Sequence, residues 1–230
     1  MDFVTDNRWK FIVTGLGNTM KVALLALFFG MIIGAIVAVI RVSHDQMKRD
    51  GRKSLGSIIL DILDFICRIY LTVIRGTPAL TQLLIFFFII LTFVDSKIVV
   101  AIVAFSINSG AYNAEIFRSG IMAVDGGQME AGRSLGLSYT QTMLSIIMPQ
   151  AIKNCLPSLI NEMITLFKET SICGFIGLND LNRGGDIIRG TTFDALLPLL
   201  TVAAIYLVIV MFFTFIMGIV ERKLRESDIR

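Results

Sequence analysis

The chain has 230 residues, 55% hydrophobic and 17% charged, with a mean hydropathy of +0.76 and a formal net charge of +3. So little polar surface excludes a water-soluble domain of this size, and a charge of +3 is ordinary for basic loops beside a membrane, with nothing in it that points to nucleic acid. The class that remains is an all-α integral membrane protein, a single domain over 1–230, because a helix satisfies its own backbone in lipid. Met1–Lys10 carries Asp2, Asp6, Arg8 and Lys10 and reads as no signal peptide, so the first apolar segment is expected to stay as an anchor.

That first span runs roughly over 12–40, with Gly30 and Gly34 forming a GxxxG pair that lets two helices approach. Packing within the subunit is the plainer reading of the pair; a dimer seam is the other. Arg41, Lys48, Arg49, Arg52 and Lys53 follow, and positive residues beside spans stay in the cytoplasm, which puts the N-terminus outside. Residues 55–75 place Asp61, Asp64, Arg68 and Arg75 on one helical stripe, to be laid along the interface or against another protein surface. Arg75-Gly76-Thr77-Pro78 breaks the helix, and Gly76–Val94 crosses outward.

Asp95-Ser96-Lys97 is a short external turn, and Ile98–Arg118 returns, with Glu115 and Arg118 spaced for an ion pair. Residues 135–152 are uncharged and long enough for a span but too polar for one, so 154–178 is the fourth crossing. Asn179–Thr192 is polar and external; Ala195–Val220 is the fifth, ending in a basic, cytoplasmic C-terminus. Cys67, Cys155 and Cys173 lack CxxC spacing and read as buried thiols, and no metal site is expected. His44 lies in a basic loop and is assigned no chemistry.

Between the third and fourth spans, Asp125-Gly126-Gly127 signals a turn and residues 128–135 propagate a helix. Gly136 supplies its left-handed end, and Ser138-x-x-Gln141 fits a capping box. A helix of two turns is marginal alone and needs a surface, either its own subunit's loops or a partner. Glu130-Ala131-Gly132, Gly136 and Ile146-Ile147-Met148-Pro149 resemble the EAA loop of ABC-importer permeases, with Gly132 for the second Ala and Met148 for Leu. Arg75-Gly76-Thr77-Pro78 with Gln82, Ala111-Tyr112-x-Ala-Glu115, Gly127-Gln128, Pro149-Gln150-Ala151 and Lys168-Glu169-Thr170-Ser171 resemble the polar amino-acid uptake branch. The likeness covers nearly the whole chain.

The resemblance implies a type I importer fold of about five transmembrane helices plus a cytoplasmic coupling helix at about 126–137, in the bacterial cytoplasmic membrane. It also implies partners: a second, identical or different permease, two cytoplasmic ATPases that bind ATP and Mg, and an extracytoplasmic solute-binding protein. This chain has no GxxxxGK[ST] loop, no catalytic residues and no cofactor of its own, so energy must come from the ATPase. Glu130, Ala131, Gly132 and Gly136 are the residues implied to couple, with the missing side chains at Gly132 and Gly136 permitting close backbone approach.

A charged group inside a span usually faces a cavity or a partner, which singles out Glu162. Asn161, Thr165, Lys168 and Glu169 can share its helix face, and Asn108 and Tyr112 offer polar atoms from the third span. A carboxylate there suits the ammonium of a cationic or zwitterionic amino acid, and Lys168 suits its carboxylate. Asn108 also reads as helix–helix glue, and Lys168 and Glu169 also read as solvated headgroup-level charges. The competing class is an ion-gradient-driven secondary amino-acid transporter, which would show inverted repeats that are not visible here. An intramembrane enzyme would need a GxSxG, HExxH or paired-aspartate motif, and none is present. Neighbouring reading frames for an ATPase and a solute-binding protein separate the readings.

Overall fold

A computed structural model describes residues 7–49 and 55–228. Residues 1–6, residues 50–54 with Arg52 and Lys53 of the basic run, and residues 229–230 lie outside these. In chain order the helices are α1 (Trp9–Arg49), α2 (Leu55–Arg75), α3 (Ala79–Ile85, continuing as a π-helical turn, Phe86–Ile90) and α4 (Lys97–Met122). There follow α5 (Gly126–Ser134), α6 (Tyr139–Thr142), α7 (Met148–Glu169), α8 (Leu181–Thr192) and α9 (Leu196–Asp228). Four helical segments among the described residues are long and apolar enough to cross a membrane: Trp9–Lys48, Lys97–Met122, Tyr139–Ile176 and Leu196–Leu224.

The centre of the bundle is the parallel pair α1 and α4, and the GxxxG glycines build it. A Cβ on Gly30 would sit 3.0 Å from Ser109 Cβ, and one on Gly34 would sit 2.6 Å from Asn113 Cβ. Lipid gives apolar side chains no drive to associate, so close packing of small residues holds such helices together. The within-subunit reading of the GxxxG pair is therefore the observed one. Around this seam Val22, Ala26, Ala101, Phe105, Leu83 and Leu166 form the largest buried cluster. Gly34→Leu is expected to destabilise the chain by about 1–3 kcal/mol or more through overpacking. A thermal-unfolding midpoint in detergent equal to the wild type's would contradict that.

The second crossing differs from the sequence reading, which gives it to Gly76–Val94 alone and lays 55–75 on an interface or another protein. The structure divides it between α2 and α3. Contacts run in order along α1, antiparallel to it, with further ties to α4. His44 Nε2 meets Asp61 Oδ1 at 2.9 Å, Arg41 lies 3.6 Å from Asp64, and Tyr70 Oη donates to the Ile107 carbonyl at 2.6 Å. Further on, Asn108 Nδ2 donates to Gln82 Oε1, and Leu83 joins Val22 and Ala26. Asp61 and Asp64 of the charged stripe thus find partners on α1 of their own chain, Arg68 Nε donates to Asp64 Oδ2 at 2.6 Å, and Arg75 lies 3.7 Å from Glu115 of α4. Glu115 likewise pairs with Arg41 Nη1 at 3.0 Å and not with Arg118, whose Nη2 donates to Asp45 at 3.0 Å.

The break between α2 and α3 is held by one amide. Gln82 Nε2 lies within hydrogen-bond distance of the carbonyls of Ile74 (2.8 Å) and Thr77 (3.1 Å) and of Thr77 Oγ1 (2.8 Å), and of these the Ile74 carbonyl is the one that Pro78 leaves without its helical donor.

From Tyr139 to Ile176 the chain forms one helical rod: α6, a π-helical turn (Met143–Ile147), α7 and a 3₁₀ turn (Thr170–Ile176). Residues 154–178 lie alongside α4, with Cys155 against Gly120 and Leu166 in the cluster of Ala101 and Phe105, as the sequence suggests. The polar 139–152 portion prolongs the same rod to α4's last turn. Gly177 (φ 71°) ends it, and Asp180 caps α8 through Arg183 N at 2.7 Å. The Asp180 backbone packs on Gly15, and Leu181 N donates to Thr19 Oγ1, which fastens α8 to the start of α1. Burial pushes the Asp180 carboxyl up to about 6, against the backbone N–H groups of Arg183, Gly174 and Asn182 that lower it. The three cysteines are buried and free.

Candidate functional site

Two features stand apart from the packing. The first is α5. Asp125 Oδ1 accepts from Gly127 N at 2.8 Å to start it, two residues earlier than the sequence suggests. At its end Gly136 takes φ 84°, Gly136 N donates to the Arg133 carbonyl, and Leu137 N donates to the Gly132 carbonyl at 3.1 Å. This is the left-handed cap that Gly136 suggests, since L side chains rarely adopt that φ. The capping box follows: Ser138 N donates to Gln141 Oε1, and Gln141 N to Ser138 Oγ.

Gly132 is buried, and a Cβ there would lie 2.5 Å from Thr142 Cγ2. Its close approach is therefore to α6 of its own chain. Gly136 has open space around it, so conformation alone demands its glycine. Glu130, Ala131 and Arg133 are exposed, and Leu135 is 81% exposed at the tip. So α5 is seated on the foot of the 139–176 rod and turns the rest of its surface outward.

The second feature is a stripe on α7. Ser158, Asn161, Thr165 and Lys168 are all exposed, and their spacings of three, four and three put them on one face. Beside them Glu162 is half-buried and its Oε1 accepts from Ser109 Oγ at 3.0 Å, while Asn113 Nδ2 donates to the same hydroxyl at 3.1 Å. Ser109 lies twelve residues after Lys97 and thirteen before Met122, hence at the middle of α4, so Glu162 sits at mid-crossing. Polar side chains at that depth face protein or water, because lipid contact is costly.

Lys168 reaches the α8 end, where with Ser171, Asn182 and Tyr206 it lines a cavity of about 360 Å³. Glu169 is half-buried on the neighbouring face. Tyr112 is half-buried one turn from Ser109, under the Arg75 guanidinium at 5.8 Å from its ring centre. Asn108 departs from the lining position: it is 4% exposed and spends its amide on Gln82, so it ties the α2–α3 break to α4. Sequence reasoning left Gln82 without a role. Its signal was a side-chain amide four residues beyond a helix-breaking proline.

A multi-crossing helical bundle with a mid-membrane polar stripe and a seated helix standing off one end defines an integral membrane protein with a polar face within the membrane. The chain belongs to the binding-protein-dependent transport system inner membrane component family, whose pattern matches residues 55–226. It is 38% identical over 232 residues to the arginine transport system permease protein ArtQ of Bacillus subtilis (strain 168), covering 99% of each chain. To the L-cystine transport system permease protein TcyB of the same organism it is 32% identical, covering 97% of this chain and 90% of that one. The crystal structure of an amino acid ABC transporter with histidines superposes with a TM-score of 0.83 at 36% identity, over 97% of this chain and 99% of that chain. The inward-facing MetNI methionine ABC transporter shares the fold, with a TM-score of 0.75 at 19% identity over 93% of this chain and 96% of that chain. The chain is thus a member of the amino-acid ABC-transporter permease family of the inner membrane, with the type I importer fold.

Proposed function

We propose that the chain carries a polar amino acid inward through the cytoplasmic membrane, driven by ATP that a partner hydrolyses. The α5 end is cytoplasmic and the α8 end external, with the N-terminus outside and the C-terminus inside. Two ATPase subunits, binding ATP and Mg, dock on α5; a second permease faces the α7 stripe; a solute-binding protein delivers the amino acid at the α8 end. The observation that carries this reading is mechanical. Gly132 seats α5 directly on the foot of the rod whose middle bears Asn161, Glu162 and Thr165.

Closure of the ATPase dimer pulls α5, and with it the rod, so the cavity opens outward; hydrolysis resets it. A ligand shifts such an equilibrium only by preferring one state, and here the ATPase interface supplies that preference. Glu162 takes the substrate's cationic group, with Asn161, Thr165 and Tyr112 beside it. The names of its relatives, for arginine and for cystine, fit a substrate with an α-ammonium and polar or cationic character.

The test is reconstitution with the ATPase and binding protein encoded nearby. Labelled L-arginine, L-glutamine and L-cystine are offered to proteoliposomes with ATP inside. Uptake of at least one is expected, with none when ATP is replaced by a non-hydrolysable analogue. Uptake driven by a proton or sodium gradient without ATP would establish the secondary-transporter reading instead.

A further inference from the structure

Behind α5 lies a cavity of about 310 Å³ that neither the bundle core nor the polar stripe uses. Protein interiors are packed as densely as organic crystals, with few voids larger than a water molecule. An opening of this size beside α5 therefore needs a reason. Its two walls differ in kind. On one side stand Val42 and Asp45 of α1 and Ile121 in the last turn of α4, and this wall is fixed. Gly34 and Asn113 close the α1–α4 seam, and Arg118 Nη2 donates to Asp45 Oδ2 at 3.0 Å beside the cavity itself.

The facing wall belongs to α5 and the foot of the rod, through Met129, Tyr139, Met143 and Ile147. There α5 packs chiefly on α6 and the π-helical turn, so α5 and the foot form one body. The rod's tight grip on α4 begins further along, at Ala151 and Cys155. A Cβ on Gly120 would lie 3.0 Å from the Ala151 carbonyl oxygen, and Cys155 Sγ donates to the Ile116 carbonyl at 3.4 Å. Between foot and grip lies the π-helical turn, Met143–Ile147, a form that is rare in helices and frequent at functional sites. Met122, Met129 and Met143 give the cavity a lining of unbranched thioethers, which repack without a fixed shape.

We propose that the cavity is the clearance into which α5 and the foot of the rod swing when the ATPases close, with the π-helical turn as the joint that passes the swing to α7. The ATPase grip on α5 supplies the pull, and the fixed wall of α1 and α4 supplies the stop. The space is kept at a cost in packing, as elements that must move are drawn from the less stable parts of a fold. This rests on the coupling role of α5 proposed above.

The experiment fills the space from the α4 side with Val124→Phe and, separately, Ile121→Phe, in the full permease–ATPase complex. Filling a void is expected to raise the thermal-unfolding midpoint in detergent by about 2 °C or more. ATP-driven uptake in proteoliposomes is expected to fall about tenfold or more, with the ATPase co-purifying at the wild-type yield. Val124→Ala enlarges the space and gives the opposite pattern, a lower midpoint with uptake kept. A general packing defect lowers midpoint and uptake together, so the crossed pattern identifies the clearance.

Spin labels at Lys48 and Gln128, both exposed, read the swing directly. Their separation is expected to change when the wild-type complex is trapped with ATP and vanadate, and to stay fixed in Val124→Phe. Uptake at the wild-type rate in both filled variants, a lowered midpoint in both, or an equal change of label separation in Val124→Phe would overturn the clearance and leave the permease function standing. Absence of ATP-driven uptake of L-arginine, L-glutamine and L-cystine by the wild type would overturn the coupling reading with it.

Discussion

Gly132→Leu is expected to cut ATP-driven uptake at least tenfold while the chain still inserts and co-purifies with its ATPase. The reason is local. A side chain at 132 points into Thr142, and its first carbon would already be 2.5 Å from the Thr142 methyl. Relief requires α5 to lift from the foot of the rod or Thr142 to swing, and Thr142 is itself fully buried with its hydroxyl bonded to the Ser138 carbonyl at 3.1 Å. Overpacking of this kind costs about 1–3 kcal/mol, enough to change a two-state ratio by one or two orders of magnitude. The ATPase would still grip α5 but move it without moving α7. Uptake at the wild-type rate would show that this seat transmits nothing. Gly136→Val is a companion with a different cause: open space surrounds position 136, but φ 84° is strained for a β-branched residue. It is expected to fray the cap from Leu137 N to the Gly132 carbonyl and lose coupling.

Glu162→Gln is expected to weaken uptake affinity tenfold or more with complex assembly unchanged. The substitution keeps volume and keeps an oxygen to accept from Ser109 Oγ, so packing on α4 survives. It removes only the charge, and a hydrogen bond to a charged group contributes about 1.5–3 kcal/mol. The measurement is uptake KM in proteoliposomes beside the yield of co-purified ATPase. An unchanged KM would remove Glu162 from the substrate site.

Local chemistry was legible in the sequence wherever neighbours in the chain decide the outcome. The capping box at Ser138 and Gln141, the left-handed Gly136 and the break at Pro78 are each settled within about five residues, and each forms as read. The GxxxG pair was legible as a close approach because only small residues permit one, although the sequence alone left its partner open. What the sequence hid are pairings across the bundle. Asp61, Asp64 and Arg68 look like an interfacial stripe until His44 and Arg41 are found opposite them on α1. Glu115 and Arg118 have helical spacing for each other, yet Arg41 and Asp45 reach them with better geometry. Asn108 looked like a cavity residue because an amide in a span has two uses, and only the position of Gln82 decides between them.

The open face of α7 also bears on how the protein assembles. A copy made without its second permease would hold Ser158, Asn161, Thr165 and Lys168 towards lipid, at a depth where polar groups are expelled. On the proposed pairing of two permeases, the same residues would hold each copy to its partner, because separation returns them to lipid.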